Sequence, residues 1–94
     1  MSLYSTLTGL RMNQGEDVTG YIIRAETAAT NLKATGEIIS DRLLPAMVMK
    51  GLPLSFEPFT VNIYTSRTKI QFSEFKVALK NFEDNQKAIR INLF

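Results

Sequence analysis

The 94-residue chain has no cysteine, no histidine and no tryptophan. Without cysteine and histidine it cannot form a disulfide, a zinc knuckle, a Cys nucleophile, or a Ser–His or Cys–His dyad. Charge of one sign is lacking too: 11 basic against 9 acidic residues leave +2. Spread over a domain, that is a weak field for binding phosphates. Apolar runs extend over only a few residues, too short to span a bilayer. Met1-Ser2-Leu3 has neither the basic region nor the apolar core of a signal peptide. The expected compartment is therefore the cytosol or the nucleus, with no membrane partner.

What is present is globular in composition. Hydrophobic residues are 45% and charged residues 21%, with only 3 prolines and 5 glycines. That is too apolar for intrinsic disorder. The length suits one domain with one small core. Residues 1–94 are read as a single helical domain: a short leading helix over 1–11, a core over 12–87 and a tail over 88–94.

The clearest element runs from Asp17 to Thr35. Val18, Tyr21, Ile22, Ala25, Ala28, Ala29 and Leu32 repeat on one face at helical period. Asn13-Gln14-Gly15 is turn chemistry, and Glu16 and Asp17 are acids at a helix start. Gly36 is a natural left-handed stop. Ser40 is a good N-cap for a third helix reaching Lys50, which Pro45 makes kinked or late-starting. Gly51 is expected to end it and Pro53 to keep it ended. Ser55 is placed as cap of a fourth element, Phe56 to Thr65, with Phe56, Phe59 and Ile63 inward. Its β-branched residues leave a strand open. Ser73 is placed as cap of a fifth helix on Phe72, Phe75, Leu79 and Phe82, loosening at Asp84-Asn85. The tail stays open between a strand, a frayed helix and the start of a following element. The fold class that follows is all-α, a compact bundle of four to five short helices.

Chemistry is sparse. The adjacent acids Glu16-Asp17 and Glu83-Asp84 point about 100° apart on a helix, so neither makes a convergent acid–base pair. They read as helix-end electrostatics. Phosphate loops and calcium-loop spacing are missing. No catalytic residue, metal ligand, cofactor or small-molecule substrate is expected. Lys76, Lys80 and Lys87 share one helix face, a solvated surface or a weak nucleic-acid face. The third helix is apolar nearly all round, more than one small bundle can cover. Leu43, Ala46, Met47, Met49 and Lys50 are therefore the candidate interface, with methionines suited to adaptable contacts.

The run Gln14-Gly15-Glu16-Asp17-Val18-Thr19-Gly20-Tyr21-Ile22-Ile23-Arg24 resembles the major homology region of retroviral and retrotransposon capsid proteins. Ile39-Ser40-Asp41, Leu43-Leu44 and Gly51-Leu52-Pro53-Leu54-Ser55-Phe56-Glu57-Pro58-Phe59 are similar to the Gag segment of copia-type LTR retrotransposons. The resemblance covers Met12 to Phe82. The gap from Gly15 to Tyr21 is shorter than in the retroviral pattern, and Ala25 stands where leucine often follows the arginine.

The resemblance implies a capsid C-terminal domain. Gln14, Gly15, Glu16, Asp17, Tyr21 and Arg24 would form a structural network in the homology-region turn, with the motif acid either Glu16 or Asp17. The chain would form a homodimer and higher capsid assemblies in the cytoplasm, and RNA would be held by other parts of the full-length protein. The alternative is a monomeric Gag-derived adaptor taking a peptide or protein in an apolar groove lined by Tyr21, Phe56, Phe59 or Phe72.

Overall fold

The computed structural model describes residues 9–37, 39, 43–66 and 70–92, the last three as backbone only. They form four α-helices: α1 (Val18–Ala34), α2 (Leu43–Lys50), α3 (Glu57–Thr65) and α4 (Phe72–Asn92). A 3-10 turn, Leu54–Phe56, leads into α3. No strand occurs among the described residues, so the fold is the small all-α bundle expected. The proposed leading helix and the Ser40 cap fall largely or wholly outside the described residues.

Helix α1 buries Val18, Tyr21, Ile22, Ala25, Ala28, Ala29 and Leu32, every member of the sequence stripe. Asp17 caps it, its carboxylate accepting the Gly20 N–H at 2.8 Å. That satisfies one of the donors a helix start leaves open. Gly36 follows at φ +91°, the left-handed stop predicted. Ala28 and Ala29, with Leu32 and Ile39, form a small cluster against Leu43, Leu44 and Met47. Two small side chains there leave room for α2 beside α1.

Helix α2 is described from Leu43, and Pro45 is buried within it. Gly51 is not a left-handed stop, since positive φ among the described residues occurs only at Gly15 and Gly36. Its role is close approach. A side chain there would collide with the Tyr21 hydroxyl and the Leu10 carbonyl, and Met12 N–H donates to the Gly51 carbonyl at 3.0 Å.

Two serine caps assigned from sequence are corrected. Ser55 lies inside the 3-10 turn, and α3 starts at Glu57 with Pro58 in its first turn. Ser73 lies inside the first turn of α4, because Phe75 N–H bonds to the Gln71 carbonyl at 2.9 Å. Nor does α4 loosen at Asp84-Asn85. It continues to Asn92, taking in most of the tail. Lys80–Asp84 (3.4 Å) and Lys87–Glu83 (3.8 Å) are ion pairs one turn apart on it. Gln86 ties it to the Ser55 carbonyl at 2.7 Å.

The main core lies where α1, α2, α3 and α4 converge. Tyr21, Phe75, Leu79, Val18 and Val48 are its fully enclosed side chains. Phe56, Phe59, Phe75 and Phe82 meet at ring-centre distances of 5.5–5.7 Å, the tilted arrangements that aromatic quadrupoles favour.

Candidate functional site

The homology-region residues sit in the turn before α1 and its first two helical turns. Glu16 N–H donates to the Asn13 carbonyl at 3.0 Å. Gly15, the third residue of that turn, has φ +83°, a backbone that glycine adopts without strain. The Glu16 carboxylate reaches back to accept the Asn13 N–H at 2.9 Å. It also meets Arg24, two turns into α1, through Nε at 2.8 Å and Nη2 at 2.6 Å. This is a two-pronged guanidinium–carboxylate pair, the stronger kind of charged contact. Arg24 Nη2 also donates to the Arg11 carbonyl at 2.5 Å, stitching the preceding segment onto α1.

Of the two adjacent acids, Glu16 pairs with Arg24, while Asp17 caps the helix. The Arg24 hydrogen bond lowers the Glu16 pKa, and the Glu16 carboxylate in turn raises that of Arg24. The guanidinium lies 5.6 Å from the Tyr21 ring centre. Tyr21 is fully buried and donates its hydroxyl to the Val48 carbonyl at 2.7 Å. Burial pushes its pKa up to about 12. Gln14, expected to bond backbone in the turn, is exposed and stands outside these bonds.

Sequence reasoning missed Glu83. It stands mid-helix in α4 and is 6% exposed, serving the start of another helix and not an end of its own. Its carboxylate accepts the Val18 N–H at 2.8 Å, another open donor at the start of α1, and Lys80 lies 3.3 Å from it. A signal existed: Phe75, Leu79 and Glu83 fall at i, i+4 and i+8, which puts an acid on the buried stripe of α4. Every partner in this region is another group of the chain. The arrangement is a brace, built to fix a turn and three helices. Among the described residues no cluster of acids could hold a metal ion.

The candidate interface on α2 divides. Pro45, Val48 and Met49 turn inward, and Met49 is 8% exposed within the main core. Its assignment to an interface is thereby corrected: i+4 geometry from Pro45 aligns it with the buried stripe. Leu43, Ala46 and Met47 are half-buried and Lys50 is exposed; the four share one stripe of the helix, whose Leu43 and Met47 pack in part against the Ala28, Ala29, Leu32 and Ile39 cluster.

The lysine face is neutralised where it stands. Lys76 pairs with Glu26 on α1 at 3.2 Å, Lys80 with Glu83 and Asp84, and Lys87 with Glu83. Hydrogen bonds to Glu83 and Asp84 raise the Lys80 pKa. Little uncompensated charge is left to face a phosphate.

The family model described as gag-polypeptide of LTR copia-type matches residues 1–90. The chain belongs to that Gag family. Gag polypeptides are structural rather than catalytic, which suits a brace whose charged groups are engaged within the chain. No curated protein and no solved structure matches this copia-type Gag chain.

Proposed function

We propose that the chain is a self-association domain of a Gag-type capsid protein. It has no catalytic role, and it dimerises through the half-buried α2 stripe of Leu43, Ala46, Met47 and Lys50 and contributes to a cytoplasmic shell around RNA. RNA itself is held elsewhere in the full-length protein, since the lysines here are paired within the chain. The observation that carries this reading is the α2 stripe of Leu43, Ala46 and Met47, half-buried in a single copy of a Gag-family chain. Apolar surface left partly wet is covered at a favourable free energy when a second copy arrives. An isologous contact needs only this one patch, presented twice. Shell contacts are weak and repeated, so a dissociation constant of about 1 μM, near 8 kcal/mol, is expected.

The adaptor alternative required an open groove lined by Tyr21, Phe56, Phe59 or Phe72. The first three are buried in the core, and of the four only Phe72 lines an open hollow, of about 190 Å³. Sedimentation equilibrium tests the dimer. A concentration-dependent dimer is expected, weakened about tenfold or more by Met47→Asp, which sets a charge against apolar surface. A strict monomer at high concentration, or a dimer indifferent to Met47→Asp, would overturn it.

A further inference from the structure

Residues 10–12 belong to no helix, yet this short strap is held from two sides. On one side Arg24 Nη2 donates to the Arg11 carbonyl at 2.5 Å, and Arg24 is itself fixed by the Glu16 fork. On the other, Met12 N–H donates to the Gly51 carbonyl at 3.0 Å, just past the end of α2. The Leu10 carbonyl packs so closely on Gly51 that a side chain there would collide with it. Leu10 is buried in the main core, Met12 is half-buried and Arg11 is exposed. A segment held by so few contacts opens locally at less cost than the whole domain unfolds.

We propose that the strap is a conformational link through which the Glu16–Arg24 pair sets the pose of the end of α2. It has a docked and a released arrangement, and Arg24 and Gly51 both bias that one equilibrium. A shared two-state element is the physical condition for coupling two sites, and such coupling is reciprocal. Docked, the strap lies against the Val48–Gly51 turn, whose carbonyls take the Tyr21 hydroxyl and the Met12 amide. Released, it takes the second of those bonds away, and the last residues of α2 gain freedom. The homology-region turn is then a control on α2 as well as a local brace. This link does not rest on the α2 dimer, because it operates within a single copy. A rival route runs through Tyr21, whose ring centre lies 5.6 Å from the Arg24 guanidinium and whose hydroxyl meets Val48.

The test is hydrogen exchange of the full chain, read by fragmentation mass spectrometry at roughly 0.1 μM, below the expected dimer dissociation constant. Every factor is taken beyond any change at Leu79, which is enclosed in the core and reports global opening. Arg24→Met keeps the aliphatic stem and drops the guanidinium; it should speed exchange of the Met12 amide about tenfold. At the far end, the Gly51 and Leu52 amides, bonded to the Val48 and Met49 carbonyls, should quicken about threefold. Glu16→Gln should do the same more weakly, and it serves alone if Arg24→Met prevents folding. In the reverse direction Gly51→Ala should quicken the Asn13 amide, which donates to Glu16, by about threefold. If Gly51→Ala prevents folding, Leu10→Ala replaces it; loss of the strap's buried anchor should quicken Asn13 and Gly51 together. In Tyr21→Phe, which lacks the bond to Val48, the response of Gly51 and Leu52 to Arg24→Met should persist. Four results would each overturn the proposal: all amides, Leu79 included, rising by one factor; Met12 quickening with Gly51 and Leu52 unchanged; Asn13 indifferent to the change at the α2 end; or the response disappearing in Tyr21→Phe.

Discussion

Around the start of α1, positions are fixed by directional bonds: the Glu16–Arg24 fork, the Asp17 cap and the Glu83 carboxylate on the Val18 N–H. Around α3 and the middle of α4 they are fixed by volume: Phe56, Phe59, Phe75 and Phe82 in mutual ring contact. The first kind of order depends on particular atoms at particular places. The second depends on shape and tolerates exchange, because hydrophobic burial has no direction. A Gag domain built both ways has a turn with little latitude and a core with more.

The largest expected effect lies in the volume-held half. Phe75→Ala should cost about 3–5 kcal/mol, a large share of the 5–15 kcal/mol typical of a single domain. Phe82→Leu, which nearly conserves volume, should cost less than about 1.5 kcal/mol. Urea unfolding measures both; equal costs would break the contrast. In the direction-held half, Glu83→Ala should cost about 2 kcal/mol, because it leaves the Val18 N–H buried without an acceptor. Glu83→Gln should recover most of that, since its carbonyl oxygen can accept the same bond. If Gln and Ala destabilise alike, the bond to Val18 is not what the side chain supplies.

The smallest effect follows from the lowered pKa of Glu16. The folded state holds this proton less tightly than the unfolded chain, so the unfolded state binds more protons as acid is added. The stabilisation is therefore complete above the ordinary glutamate range and fades as pH falls through the lower folded value. With Arg24 40% exposed, solvent screening keeps it to about 1 kcal/mol. Melting curves from pH 6 to 3 should show a shallower acid decline in Glu16→Gln than in the parent, by about that amount.

Much of this was legible in the residues. The α1 stripe is local and periodic, and the structure buries all seven of its members. Gly15 and Gly36 announce left-handed backbone, and both have it. What could not be read depends on neighbours brought by the fold. Gly51 follows a helix and reads as its stop, yet it is small because Tyr21 and Leu10 press against it. Ser55 and Ser73 have capping chemistry, but the helices start elsewhere. Met49 and Met47 look alike in sequence; only the fold shows that Met49 is buried in the main core while Met47 rests half-exposed on the smaller cluster. The choice between Glu16 and Asp17 also needed geometry, because adjacent acids at a helix start serve either purpose.

The hydroxyl-free contact between Val18 and Glu83 has a consequence for how the protein is made. The two residues stand 65 positions apart. A ribosome makes α1 before it has synthesised the acid that secures that helix's first amide. Until then the nascent segment has its own cap and little else, and the last helix must dock before the first is locked. The bond therefore works like a clasp, joining the start of α1 to the middle of α4.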